Sequence, residues 1–362
     1  MYRYIEGGTE AEVTVRANRA AFDDVKFLPR VAVGSQEPDL RTTVLGQELS
    51  MPIVLAPAGY IRLAHRTGEI GAARAAGRAG TAVGISTFSS HDIIDIAANA
   101  TGPVWYQLYF GGGRVGAEVA IDRARAAGCK ALIVTVDLAA RAARERALRG
   151  GQIPTGVTLK SALAYAPEML PRPRWLLDFM RDGMRLDVPN VRMSIDGPPL
   201  SAAETSRSLR GAAPRWEDFE WIRERWQGPI AVKGVLTVDD ARRAVDVGLD
   251  AIIVSNHGGN ALDGTPSTLH VLPGIVDAVG HEVEILVDGG IRRGGDAVKA
   301  LALGARCVLV GRAYIWGMAA AGEAGVDRIL ELLRDDVARA LALLGCPSAG
   351  AVDRSYISAP WL

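Results

Sequence analysis

The sequence predicts an α/β chain closed into a (β/α)8 TIM barrel. Three observations carry that reading: eight short β-branched runs that are almost continuously apolar, Ala/Arg-rich helical stretches between them, and no shift of composition from the first run to the last. A strand that is apolar at consecutive positions must be covered on both faces, as parallel strands are. Strands alternating with helices give a parallel sheet, and eight of them suffice to close a barrel. A doubly wound sheet is the alternative. It uses fewer strands and places its phosphate loop after the first, whereas the glycine-rich phosphate signals here come late.

The first four runs are "MPIVLAPAG" (51–59), "TAVGIST" (81–87), "VWYQLY" (104–109) and "ALIVTVD" (131–137). The other four are "PIAVKGV" (229–235), "AIIVSN" (251–256), "EILVDGG" (284–290) and "CVLVGR" (307–312). Helical patterns such as "GEIGAARAAGRAG" (68–80) and "TVDDARRAVDVGL" (237–249) separate them; in the second, Thr237 with Asp240 three residues on makes a capping-box start. Residues 145–228 interrupt the alternation after the fourth run. Their first half, "PTGVTLKSALAYAPEMLPRPRWLLDFM", is aromatic and basic, and their second, "SIDGPPLSAAETSRSLRGAAP", is rich in Ser, Gly and Pro. An insertion at this point of a barrel lies over the catalytic face, so a lid is expected there, within a single domain spanning 1–362.

Acidic and basic residues balance, at 41 each, which argues against broad attraction to nucleic acid or to an anionic membrane. No uncharged apolar stretch reaches the ~18 residues of a membrane span. The start, "MYRYIEGGTEAE", lacks the pattern of a secretory signal. Cys129, Cys307 and Cys346 have no metal-like spacing and read as reduced structural thiols, with no metal site. A cytoplasmic protein is expected.

Barrel strands bury their middles and present chemistry at their C-terminal ends. Read there, the runs offer Ser86, Gln107 and Tyr109, Thr135 and Asp137, Lys233, Ser255 and His257, Asp288, Gly311 and Arg312. "DGGIRRGGDAVKALALGA" (288–305), followed by "VGR" (310–312), is the strongest phosphate signal: glycines let backbone N–H groups approach an anion, and Arg312 can clamp it. The residues alone give a phosphate-bearing cofactor or substrate without saying which. Lys233, ending an apolar strand, must face a polar cavity or pair with an anion. His257 with Asp137 has the logic of a base and its orienting carboxylate. Arg144, in "LAARAARER", can hold a substrate anion.

"VKGV", "VSNHGG", "DGGIRRGGD", "KALALGA" and "VGR", in this order and spacing, resemble the FMN-dependent α-hydroxy-acid oxidase and dehydrogenase family, and the similarity runs from about Tyr2 to the C-terminus. Inosine monophosphate dehydrogenase barrels share the phosphate loops, but depend on a loop cysteine with no counterpart here and lack the His-Gly-Gly motif. The resemblance implies FMN as cofactor. It implies that Ser86, Gln107, Thr135, Lys233 and Ser255 contact the flavin ring, with Lys233 near N1 and O2 and the backbone of Pro57, Ala58 and Gly59 near N5. Gly290, Arg292, Gly311 and Arg312 would hold the phosphate, with Asp288 also on the cofactor. His257 would be the base, Asp137 its partner, Arg144 the carboxylate-binding arginine, and Tyr4 and Tyr109 the tyrosines that hydrogen-bond the substrate. A small-molecule substrate, hydrogen transfer to flavin N5, a protein or quinone electron acceptor and a homotetramer complete the implied picture. The family normally carries a helix before "YxYxxGG"; with Met1 just ahead of Tyr4, either that helix is absent or the natural start lies further upstream.

One position departs from the family. Hydroxy-acid members carry an arginine after His-Gly-Ala/Gly as one half of a carboxylate clamp; here it is Asn260. A neutral amide suits an amide or carbonyl better than a carboxylate. "HGGN", "LDGTP", "RPRWL", "WED" and "GRAY.WG" resemble further the subgroup of flavin dehydrogenases of mycofactocin maturation, which implies a peptide-derived lactam oxidised at its amine carbon. The alternatives are an ordinary 2-hydroxy-acid oxidase or dehydrogenase, with Asn260 a tolerated change, and a non-catalytic flavin-binding barrel. Intact His257, Asp137 and Arg144 argue against the last.

Overall fold

The structure, a computed structural model, describes residues 5–34, 37–140, 143–145, 163, 165–167, 169–184, 187–208 and 213–362. Eight parallel strands close a barrel. They are β1 (Ile53–Leu55), β2 (Val83–Ser86), β3 (Val104–Leu108), β4 (Ala131–Thr135), β5 (Ile230–Val235), β6 (Ala251–Val254), β7 (Glu284–Val287) and β8 (Cys307–Val310). β8 pairs with β1 to complete the ring, Leu309 opposite Val54.

Every strand falls inside its predicted run, and most stop short of the run's C-terminal end. The reason is local. Pro57 has no N–H to give a ladder, and His257, Gly289 and Gly290 take positive φ values of 57°, 95° and 87°, which no strand accommodates. The residues left beyond each strand are the polar ones.

Side chains alternate in and out of the barrel wall with a period of two. Outward residues such as Leu55, Tyr106, Val134, Val232 and Ile252 join the core shared with the surrounding helices. Inward residues form a separate cluster: Val54, Trp105, Ile133, Ile253, Leu286 and Leu309, with Ala82, Ala131, Ala231 and Ala251 between them. Four alanines leave room for one indole, and Trp105 takes it with no exposure to solvent. A short hairpin, Thr42–Val44 paired with Gln47–Leu49, plugs the N-terminal mouth with Val44, Leu45 and Leu49.

The helix Val238–Asp246 starts as expected, the Thr237 hydroxyl oxygen accepting the Asp240 N–H at 3.1 Å. The reciprocal contact comes from the Thr237 hydroxyl to the Asp240 carboxylate at 2.8 Å. Described parts of the insertion pack over the loops that follow β1 and β2. Its helix Pro173–Arg181 is held by Trp175 Nε1 donating to the Leu63 carbonyl at 2.9 Å and by an Arg62–Asp182 ion pair. Asn190 Nδ2 donates to Ser89 Oγ at 2.7 Å and Asn190 Oδ1 accepts from the Ile93 N–H at 2.8 Å. The last long helix, Arg312–Leu344, breaks at Ala321 and Gly322; a Cβ on Gly322 would come within 2.4 Å of the His65 ring.

Trp105→Ala is expected to cost about 3–5 kcal/mol, since the surrounding strands cannot collapse into the space. Trp105→Phe should cost less. Urea midpoints measure both, and an unchanged midpoint for Trp105→Ala would contradict the packed interior.

Candidate active site

On β2 to β7 the inward position next above the apolar interior is polar, and Ser86, Gln107, Thr135, Lys233, Ser255 and Asp288 form an arc there. Lys233 is buried, its Nζ 2.8 Å from Asp288 Oδ2, and it donates to Ser255 Oγ at 2.6 Å. Ser255 Oγ also accepts the His257 N–H at 3.0 Å, so one hydroxyl ties the lysine to the loop that carries the histidine. Gln107 Nε2 donates to Thr135 Oγ1 at 2.8 Å, and Ser86 Oγ accepts the Phe88 N–H at 3.1 Å.

Lys233 and Asp137 come together through a residue that the sequence reading passed over. The register of β5 against β6 slips between Lys233 and Val235. Gly234, at the slip, has φ +115°, and a Cβ there would stand 2.6 Å from Asp137 Cβ. Its signal was a glycine inside an otherwise apolar run, the mark of a bulge or a close approach.

His257 adopts a left-handed conformation (φ 57°). Its Nδ1 lies 3.0 and 3.2 Å from the two Asp137 oxygens, and its Nε2 3.4 Å from the Tyr109 hydroxyl. Burial alone would raise the Asp137 pKa, but His257 and Lys233 beside it outweigh burial and lower it from its ordinary value. An ionised carboxylate only accepts, so Nδ1 carries the ring proton and Nε2 keeps its lone pair on the Tyr109 side. Asn260 stands three residues on because the turn needs it: its N–H and its Nδ2 both donate to the His257 carbonyl, at 3.2 and 3.0 Å. His257, Asn260 and Arg144 line one cavity with Pro57, Ala58 and Gly59. Tyr4 lies outside the described residues. A larger cavity of about 680 Å³ opens at the strand starts, lined by residues such as Asp250, Glu284 and Arg306, away from this convergence.

The other end of the active-site cavity is cationic. Gly290, Arg292, Gly311 and Arg312 line it. Gly311 precedes the first turn of the helix Arg312–Leu344 and gives it no side-chain cap, which leaves the first N–H groups as an anion site. Burial lowers the Arg292 pKa, and among the described residues no carboxylate stands within ion-pair distance of it. Burial, with Arg292 next to it, pushes Arg312 down to about 10. Two desolvated cations that repel each other favour an anion between them. The loop's contribution differs from expectation. Asp296 Oδ2 takes the N–H groups of Arg292 and Arg293 at 2.9 and 3.1 Å, so these backbone donors are spent and the Arg292 side chain is left to act. Arg312 donates to the carbonyls of Ile5, Gly258 and Gly7 at 2.8, 2.8 and 2.9 Å, keeping two of its five N–H groups. Asp288 Oδ1 is buried without a partner and calls for a hydroxyl donor. Cations at one end, an orphan carboxylate oxygen and a lysine along the wall, and a base at the far end fit a phosphate-bearing polyol with a ring.

The family model described as FMN-dependent dehydrogenase matches residues 1–359. The chain belongs to that family. FMN-dependent dehydrogenases are flavoprotein oxidoreductases, and FMN is the cofactor of this one. Pre-mycofactocin synthase of Mycobacterium tuberculosis (strain ATCC 25618 / H37Rv) is 44% identical, over 99% of this chain and 90% of the relative. An L-lactate dehydrogenase of Ectopseudomonas mendocina (strain ymp) is 40% identical, over 97% of this chain and 92% of its own. Among solved structures, the monotopic membrane protein (S)-mandelate dehydrogenase superposes with a TM-score of 0.91 at 38% identity, covering 99% of this chain and 94% of that one. Among the described residues of this family member, no helix is long and apolar enough to cross a membrane. Its three cysteines are free and buried, and burial pushes the Cys129 thiol up to about 12, as inert structural thiols require.

Arg292→Met is expected to weaken FMN binding by about ten- to a hundredfold, the worth of a charge-assisted contact. Flavin fluorescence in the ultrafiltrate reads the loss; full retention of flavin would remove Arg292 from the cofactor site. Gly234→Ala should leave flavin bound while slowing its reduction by substrate about a hundredfold, because the added methyl displaces Asp137 from His257. Anaerobic stopped-flow absorbance separates the two effects.

Proposed function

We propose that this FMN-dependent dehydrogenase oxidises an amine-bearing carbon in a small peptide-derived lactam, the substrate class that its resemblance to the mycofactocin-maturation subgroup implies, rather than a 2-hydroxy acid. One observation carries the reading: the position after His257-Gly258-Gly259 holds Asn260, whose amide is bound to the His257 carbonyl, where a carboxylate-binding site needs a cation. Without that cation a carboxylate loses a charge-assisted bidentate contact of about 1.5–3 kcal/mol, roughly ten- to a hundredfold or more in binding.

The family resemblance and the geometry above support these roles. Arg292, Arg312 and the N–H groups from Gly311 onward take the FMN phosphate, with Gly290 giving the backbone room. Asp288 accepts from a cofactor hydroxyl. Lys233, positioned by Ser255, serves the ring with Ser86, Gln107 and Thr135, and the Pro57–Gly59 backbone faces it. FMN supplies the two-electron acceptor at N5. His257 Nε2 removes a substrate proton, Asp137 stabilises the resulting imidazolium, and Tyr109 hydrogen-bonds the substrate heteroatom. The insertion serves as a lid over these groups. The same reading makes the protein a single-domain, cytoplasmic homotetramer; buried free thiols support the reducing compartment, and size-exclusion chromatography checks the assembly.

Arg144 favours a second reading. It lines the cavity beside His257 and keeps one cation there, which a 2-hydroxy acid can use. The visible spectrum of the anaerobic holoprotein decides between them. Bleaching by an α-amino lactam but not by lactate or mandelate is expected; bleaching by a hydroxy acid alone would favour the second reading. Asn260→Arg should weaken use of the lactam and improve hydroxy-acid binding about tenfold or more.

A further inference from the structure

The turn after β1, Ile61–Leu63, has two faces. Ile61 lines the active-site cavity, while Arg62, Ala64, His65 and Arg66 line a second cavity of about 270 Å³. The far wall of this second cavity is the insertion helix Pro173–Arg181, held to the turn by Trp175 and Arg62. Its floor is Ala319 and Ala320, just ahead of the break at Ala321–Gly322, and two methyl groups leave the space unfilled.

The walls define what fits. Trp175 and Phe179 stack with centroids 5.1 Å apart and planes 10° from parallel, a flat aromatic surface bordering the cavity. Around it stand three guanidiniums, Arg62, Arg66 and Arg174, against two carboxylates, Asp178 and Asp182. Arg62 is paired with Asp182, and Arg66 reaches Asp178 only at 3.7 Å. Arg174 is exposed and has no ion-pair partner among the described residues. His65 adds a polar ring: its Nδ1 is taken up by Thr67, with the N–H at 3.3 Å and the hydroxyl at 2.9 Å. Burial, the largest influence, lowers the His65 pKa, so the ring is neutral. An aromatic wall with surplus N–H donors and a net positive charge recognises a planar ring that carries carbonyl or anionic oxygens.

Substrate oxidation leaves two electrons on the cofactor, and they must leave before the next turnover. The active-site cavity is roofed on its other side by the N-terminal segment, where Thr9 N–H donates to the Gly259 carbonyl at 2.9 Å and Glu10 N–H to the Ala143 carbonyl at 2.7 Å. The cavity beyond Ile61–Leu63 is reached from outside and is separated from the flavin site by that one turn. The geometry points to this cavity, between the β1 turn and the insertion helix, as the docking site of a planar aromatic electron acceptor of the quinone class, an inference that rests on the FMN-dehydrogenase reading. In the overall reaction the substrate loses two hydrogens and the quinone gains two electrons and two protons. Both of its C=O groups become C–OH, and the cofactor returns to its oxidised form.

The test needs no substrate. Binding of 2,6-dichlorophenolindophenol (anionic) and of menadione (neutral) to oxidised holoprotein is measured by calorimetry. Reoxidation of anaerobically photoreduced holoprotein by each is followed at the flavin band. Trp175→Ala is expected to weaken both ligands and slow both reoxidations about tenfold. Arg174→Glu, a surface change that leaves the helix contacts in place, should weaken only the anionic dye, by a similar factor. Unchanged affinities and rates in both variants would overturn the proposal, as would loss of binding without any change in reoxidation rate. Failure of every tested lactam or hydroxy acid to bleach the flavin would instead count against the substrate reading and leave this measurement intact.

Discussion

A closed eight-stranded barrel has an interior that must be filled, because water admitted there would leave unpaired hydrogen bonds and lost contacts. Trp105 among four alanines, with Ile133, Ile253, Leu286 and Leu309 around it, fills the lower part. Polar groups can therefore stand inside only where the strands end. Every inward side chain of the site obeys that limit: Ser86, Gln107, Thr135, Lys233, Ser255 and Asp288 occupy the first inward positions above the apolar layers, all of them buried. The chemistry is consequently attached to the most rigid part of the molecule, and only the loops above it are free to vary.

Burial sets a second requirement, that each charge be compensated. At the base end, Asp137 is surrounded by His257 and Lys233, and Lys233 has Asp288 on its other side. At the other end Arg292 and Arg312 repel each other, and among the described residues no carboxylate stands within ion-pair distance of either. This asymmetry gives the cavity a direction: an anion belongs at one end, and a proton acceptor waits at the other.

Much of this was legible in the sequence, for a physical reason. Continuous apolar runs report burial on both faces, and a polar residue at the end of such a run has nowhere to go but the mouth of the barrel, so which residues gather there could be read from the runs. What was not legible depends on backbone geometry that residue type does not encode. Gly234 reads as a break in an apolar run, and only the register slip beside Asp137 shows what it is for. Asn260 reads as a substrate contact, yet its first bond is to the His257 carbonyl. Asp263, in the "LDGTP" segment, caps the helix Val13–Asp24 by accepting the N–H groups of Val13 and Thr14 at 3.1 and 2.8 Å, a partnership across most of the chain that no local pattern announces.

That partnership bears on how the protein is made. Apart from Glu10, which donates to the Ala143 carbonyl, the first twenty residues find their distant partners in the last third of the chain: Ile5 and Gly7 on Arg312, Thr9 on Gly259, Val13 and Thr14 on Asp263, Asn18 on Asn256. None of these partners exists while the ribosome is still translating the first six strands. The segment that is synthesised first is thus among the last to settle, and the cavity lined by His257 and Arg312 is finished only after nearly the whole chain has emerged. Nascent chains stalled before Arg312 would carry most of the barrel wall with the N-terminal segment still unattached.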